Sequence, residues 1–224
     1  MSRVVRILFL CLMSRLVWTF PTGVWRQGLK RVLAATQMSE EVDPGKIAGL
    51  EIVKYPHPSL RRKSEVIPPE AFGEAHAIAR RMLELMYEAN GVGLAAPQVG
   101  ISKRLMVFNP EGRKERWLDE VILVNPQVVE TSSGRDTDVE GCLSFPGMQG
   151  DVERHKWIKV EALTPKGRKI KKKYEGYLAR IFQHEYDHLE GVVYVDHLSK
   201  ADRDEVQPVL DDLIQAYKGN DKAL

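Results

Sequence analysis

The stretch Leu178-Ala-Arg-Ile-Phe-Gln-His-Glu-Tyr-Asp-His-Leu-Glu-Gly191 decides how the rest of the chain is read. It is patterned as a helix from about Leu178 to Leu189, and Gly191 reads as the stop that follows. Side chains four apart on a helix share a face, so His184 and His188 converge on one metal ion. Glu185 projects from the flank of that face, where a carboxylate reaches a metal-bound water without displacing it. Two ligands do not hold a catalytic metal, which takes three from the protein and keeps a fourth position for water. The longer pattern H-E-x-x-H-x-x-G-x-x-H is followed as far as Gly191, but Tyr194 stands where its last histidine belongs. Glu190, Asp196 and His197 lie nearby without restoring it.

A candidate third ligand stands well upstream: Cys142, in Val139-Glu-Gly-Cys-Leu-Ser-Phe-Pro146. A thiolate suits zinc or iron, and the glycine beside it lets the backbone approach closely. The competing reading is a buried core cysteine, which composition alone favours. A third stretch, Gly91-Val-Gly-Leu-Ala-Ala-Pro-Gln98, is small, backbone-permissive and ends in an amide. Alone it reads as a turn and the start of a strand, and it lacks the Gly-Lys-Ser/Thr ending of a phosphate loop. Two rival classes share the histidine pair. One is a metallopeptidase cleaving internal bonds with a different third ligand. The other is a closed structural metal site, which usually brings two nearby cysteines and would leave Glu185 without a task.

The chain has 224 residues, 43% hydrophobic and 29% charged, as expected of an ordinary soluble globular domain and not of a disordered, collagenous or disulfide-stapled one. Six basic residues and no acid fall within 1–38, leaving 27 basic and 31 acidic residues, a net charge of −4, for the remainder. A nucleic-acid binder keeps a basic face on its folded domain, so no direct nucleic-acid binding is expected. The apolar run Ile7–Met13 is seven residues long, far short of the ~20 that span a bilayer, so no membrane partner is expected either. An acid-free, Arg-rich leader resembles an organellar transit peptide, although serine is sparse. Val4–Met13 also fits a short signal-peptide core ahead of a transit segment. The alternative is a false upstream start on a bacterial-type cytoplasmic enzyme, with Met38 as the true first residue. Residues 1–38 are therefore set apart as a targeting leader and 39–224 as a single catalytic domain. Cys11 falls in the leader, so the mature chain keeps Cys142 alone and forms no internal disulfide.

Along that domain, Ile52-Val-Lys-Tyr-Pro-His-Pro58 reads as extended, because each proline disfavours helix in the residue before it. Ile78, Met82, Leu85 and Met86 form a helical stripe that ends near Asn90-Gly91. Short β-rich runs follow at Leu105–Phe108, Val121–Val124, Gln127–Glu130, Trp157–Leu163 and around Lys169–Tyr174, separated by turn signals. The basic run Lys169–Lys173 reads as a solvated strand face. A last helix is expected from an N-cap at Ser199 through Val206, Leu210, Leu213 and Tyr217, kinked or shortened by Pro208. The sum is an α+β fold with mainly antiparallel sheets packed around a central HExxH helix, and a C-terminal helix.

Taken together, GVGLAAPQ (91–98), EGCLS (140–144) and QHEYDHL (183–189) closely resemble peptide deformylase, in which a GxGLAAxQ, an EGCLS and a QHExDHL segment occur in this order. No functional position departs, and the resemblance runs from about Ile52 to the region of Leu198. EGCLSFPG and ARIFQHEYDHLEG look closest to the plastid-type branch, in keeping with a transit leader, with a mitochondrial destination as the other organellar option. The resemblance implies Cys142, His184 and His188 as metal ligands and water in the fourth position. It implies removal of the N-formyl group from formyl-methionyl nascent peptides near the ribosome exit, releasing formate. Glu185 would be the general acid/base toward the metal-bound water, with the Gln98 amide and the Leu143 N–H as oxyanion donors. Glu140 and Gln183 would support the ligands. The peptide would lie as an added strand along Gly91, Val92 and Gly93, where glycine allows close approach, with its methionine in an apolar pocket near Val92, Leu94 and Phe145. One divalent ion is implied, Fe²⁺ in many family members and Zn²⁺ in some. The oligomeric state is left open.

Overall fold

Leu105–Phe108 is buried at all four positions, so this strand has no solvent face and carries a layer on each side. The computed structural model describes residues 44–217; the expected leader, 1–38, lies outside the described residues. In chain order the elements are α1 (Pro44–Ala48), α2 (Phe72–Glu88), β1 (Gly93–Ala95), β2 (Leu105–Phe108), β3 (Val121–Thr131), β4 (Arg135–Cys142), β5 (Phe145–His155), β6 (Trp157–Leu163), β7 (Lys169–Glu175), α3 (Gly176–Glu190) and α4 (Lys200–Ala216), joined by loops and short 3₁₀ turns. The strands make a five-stranded antiparallel sheet in the order β1-β2-β3-β6-β7 and a separate β4–β5 hairpin. The fold is α+β with antiparallel sheets, as expected.

Alternation along β2 assigns the layers. Leu105 and Val107 pack with Ile78, Met82, Leu85 and Met86 of α2. Met106 and Phe108 pack on the other face with Ala179, Phe182 and Leu189 of α3. Phe182 stacks between Tyr174 and Tyr186, each ring pair 5.7 Å apart, which keys α3 to β7. A further apolar cluster joins Phe145, Met148 and Val152 of β5 to Val193, Val195 and, from α4, Val206 and Leu210. The metal-motif helix therefore lies between the sheet and the hairpin.

Three expectations change. Val121–Val124 and Gln127–Glu130 belong to one strand, interrupted by a register shift where Asn125 takes φ 52°. The Asn125 amide bonds both the N–H and the C=O of Ile67, at 2.9 and 2.8 Å, which holds that irregularity in place. The β4–β5 hairpin has no counterpart among the expected strands. β4 is exposed at positions 135–139, so no apolar alternation marks it. Finally, α4 runs through Pro208 to Ala216 and is not shortened; its Ser199 cap accepts from Asp202 N at 3.1 Å.

The lysine run behaves as a solvated face. Lys171 pairs with Glu161 at 2.6 Å, Lys173 with Glu175, and neighbouring Lys159 with Glu130 at 2.7 Å. Among the described residues, no helix is long and apolar enough to cross a membrane.

Gly191 ends α3 in the left-handed conformation (φ 76°), its N–H turned back to the Asp187 and His188 carbonyls. A Cβ there would stand 2.7 Å from the Arg61 carbonyl oxygen. Gly191→Ala is expected to lower the unfolding free energy by at least the ~1–2 kcal/mol that left-handed backbone costs an L-residue. Urea denaturation measures it, and an unchanged midpoint would contradict this account.

Candidate metal centre

Helix α3 presents His184 and His188 one turn apart, with ring centroids 5.2 Å from each other. Cys142, the last residue of β4, arrives from the hairpin and sets its Sγ 3.4 Å from His188 Nε2. Ligand atoms of Cys142, His184 and His188 all lie within 4.8 Å of one another. One thiolate and two imidazoles at this spacing form a donor set for a divalent transition metal, with room for a ligand that is not protein.

The surroundings fit such an ion. His184 Nδ1 meets Glu140 Oε2 at 2.9 Å. A carboxylate only accepts, so Nδ1 donates to it, and Nε2 is the nitrogen left to bind an ion once the ion displaces any proton there. Glu140 is itself gripped by Arg154, through Nε and Nη2 at 2.9 Å each, and by Arg180 Nη1 at 2.9 Å. Burial pushes Glu140 up, but the hydrogen bonds and charges of His184 and Arg154 outweigh it and hold it well below the ordinary carboxylate range. Burial likewise pulls His184 down, and hydrogen bonds with Cys142 and Glu140 more than reverse the effect. The electrostatics thus favour positive charge beside Cys142. Burial, followed by the charge of His184, lowers His188 well below its ordinary value, which leaves it a neutral donor.

Glu185 has a different environment. The residue is 4% exposed, and Oε2 has no hydrogen-bond partner. Burial pushes it up to about 7, against the opposing pull of His184. It lies against Gly93 of β1, where a Cβ would stand 2.4 Å from Oε1 and 2.9 Å from both Cγ and Cδ. The expectation gave Gly93 to close approach of a peptide; the structure adds a seat for Glu185. Gln98 is oriented by Ala95 N–H, which donates to its Oε1 at 2.8 Å. Its amide nitrogen is thereby turned toward Cys142 Sγ, 3.4 Å away, and Ser144 Oγ, 3.5 Å away.

A cavity of about 560 Å³ opens over these groups, lined by Gly91, Val92, Gly93, Gln98, Cys142, Leu143, Phe145, His184 and Glu185 among others. That volume lies within the range of small-ligand and peptide sites. Leu94 is not part of it. It is fully buried in the α2 cluster, because alternation along β1 turns it to the other side of the sheet. Gln183 does not reach the ligands; it pins the end of β5 to α3, bonding both the N–H and the C=O of His155 at 3.0 and 2.9 Å. Sequence reasoning missed Arg154 and Arg180. Arg180 precedes His184 by one helical turn, a spacing that was available to read; Arg154 carries no local signal.

A polypeptide deformylase family model matches residues 49–204. The chain belongs to this family. Rice peptide deformylase 1B, chloroplastic, is 38% identical over 200 residues, covering 86% of this chain and 73% of its own. The peptide deformylase of the bacterium Symbiobacterium thermophilum is 47% identical over 154 residues, 67% of each chain. Among solved structures, peptide deformylase from Plasmodium falciparum aligns at TM-score 0.71 and 41% identity, covering 77% of this chain and 99% of that one. Arabidopsis thaliana peptide deformylase 1B with a bound inhibitor aligns at TM-score 0.72 and 38% identity, covering 78% and 96%. Plastid-type and bacterial deformylases thus stand at similar distances.

The seat at Gly93 yields a test. Gly93→Ala leaves all three candidate ligands untouched but drives the Glu185 carboxylate out of its place. Metal content is expected to stay at the level of the unmodified protein while turnover falls roughly 10²-fold, the scale of a 1 Å misplacement in a catalytic site. A variant with full turnover and an unmoved Glu185 in its crystal structure would show that the seat is not needed.

Proposed function

We propose that this chain is a metal-dependent peptide deformylase that hydrolyses the N-formyl group of formyl-methionyl nascent peptides and releases formate. The observation that carries the reading is the meeting of Cys142, His184 and His188 next to Glu185, a buried acid whose Oε2 has no hydrogen-bond partner, at a cavity lined by Cys142, His184 and Glu185. These groups suit hydrolysis of a small amide. A closed structural site would have no use for an acid so placed.

Cys142, His184 and His188 would hold the ion, which when bound acidifies water and polarises a carbonyl oxygen. Glu185 takes a proton from the attacking water. The water oxygen bonds to the formyl carbon, the carbon–nitrogen bond breaks, and Glu185 delivers the proton to the departing amine. Gln98 Nε2, held by the Ala95 N–H bond, donates to the carbonyl oxygen as it gains charge, together with the Leu143 N–H. Gly91, Val92 and Gly93 pair with the peptide backbone, and the methionine side chain enters an apolar pocket bounded by Val92 and Phe145. A formyl hydrogen needs no side pocket, which separates this substrate from larger acyl groups.

Fe²⁺ is our choice of native ion, with Zn²⁺ as the second, since thiolate and imidazole suit both. The acid-free leader and the chloroplastic relatives support a plastid-type enzyme with residues 1–38 removed and 39–224 as the catalytic domain. Its nascent substrates place its work near the ribosome exit.

Formate release from a formyl-Met tripeptide tests the reading on protein purified anaerobically with Fe²⁺ or Zn²⁺. Glu185→Ala is expected to keep the metal and lose ~10²–10⁴-fold in turnover, whereas Cys142→Ala loses metal and turnover together. A folded, metal-loaded protein that releases no formate would overturn the assignment.

The pH dependence follows from Glu185. The base must be ionised, so kcat/KM rises with pH through its pKa. Burial sets that pKa near 7 before any cation is added, and a bound cation draws it back toward the ordinary ~4.3. The acid limb is expected between these values, and an acid limb below the lower one in a pH–rate profile would refute the placement.

A further inference from the structure

We infer that Lys54 is a positioning residue for the turn that carries Cys142 and Leu143; the inference rests on the deformylase reading above. Leu143 and Ser144 are the two turn residues between β4 and β5, with Cys142 and Phe145 paired across them. A tip of this kind projects from its hairpin, and its direction depends on what holds it from outside.

Three consecutive residues of the extended stretch near the start of the domain supply that hold. Val53 N donates to the Gln98 carbonyl at 2.9 Å, and Tyr55 N donates to the Ser144 carbonyl at 3.0 Å. Between them, Lys54 Nζ donates to the Leu143 carbonyl at 2.6 Å. The stretch therefore ties the backbone of Gln98 to the backbone of the turn, and these are the two places from which the oxyanion donors come. The Gln98 amide closes the triangle through Ser144 Oγ and Cys142 Sγ.

Lys54 differs from an ordinary surface lysine in two respects. Its ammonium is committed to a backbone carbonyl, although the residue as a whole is exposed, and it borders the cavity of the metal centre. Burial lowers its pKa, and the nearby Cys142 opposes that effect. A fixed charge-assisted bond to the Leu143 carbonyl limits rotation of that residue. The N–H of the same residue then keeps its aim at the position where charge develops. Of the three bonds, only this one comes from a side chain, so it is the one that substitution can remove.

Lys54→Met keeps an unbranched side chain as far as the ε position and removes the donor. Fe²⁺-loaded Lys54→Met is expected to lose about tenfold in kcat on a formyl-Met tripeptide, less than the ~10²–10³ for deleting an oxyanion donor outright. KM should stay within about twofold, metal content should not change, and Lys54→Arg should restore kcat. A second measurement does not depend on turnover. Hydrogen exchange in peptides spanning residues 142–145 should quicken in Lys54→Met and return to the original rate in Lys54→Arg. Unchanged exchange, or exchange that Lys54→Arg fails to restore, would overturn the inference, as would unchanged kcat in an active enzyme. If the unmodified protein releases no formate, the deformylase reading fails, and the exchange experiment still decides whether Lys54 holds the turn.

Discussion

One buried carboxylate organises this molecule. Glu140 lies on the hairpin, His184 and Arg180 on α3 and Arg154 on the second hairpin strand, and all three bond to it. Taking a carboxylate out of water is costly, and the cost is recovered only where every lone pair finds a donor. Here two guanidinium groups and an imidazole meet that demand. Docking of the hairpin on the helix and orientation of the first histidine are thus the same event. The arrangement also leaves the neighbourhood of the candidate metal ligands electrically mixed, with the cations of Arg154 and Arg180 beyond the Glu140 carboxylate.

The two acids of the site show how position separates roles. Glu140 and Glu185 are both almost fully buried, yet one is held ionised far below its ordinary range and the other is pushed up to about 7. The difference lies in the partners. Glu140 has donors on both oxygens. Glu185 rests against a glycine and has one oxygen with no partner. The environment thus favours the neutral form of Glu185, whereas Glu140 is held as a negative charge.

Much of this was legible in the chain. The helix carrying His184 and His188, its stop at Gly191 and the apolar stripe of α2 follow from period and punctuation. The order of the three motifs pointed to the family. What escaped the sequence had long-range causes. The β4–β5 hairpin shows no alternation because β4 lies mostly in solvent, and it is held by Arg154, a residue whose partner sits fourteen positions earlier on the facing strand. Leu94 is expected in the neighbourhood of the pocket; the period of two along β1 sends it to the core instead. Gly93 looked like an accommodation to a ligand, and only packing shows that it accommodates Glu185.

The five-stranded sheet ends in β1 on one side and β7 on the other. Unpaired strand edges invite pairing with other chains, and proteins discourage it with lysines. β7 carries four in five residues, Lys169, Lys171, Lys172 and Lys173. β1 is short, apolar and glycine-bearing, and borders the cavity. The two boundaries of the sheet therefore differ in character: lysines discourage the addition of a further strand beside β7, and no such charges stand on β1, whose Gly93 lines the cavity.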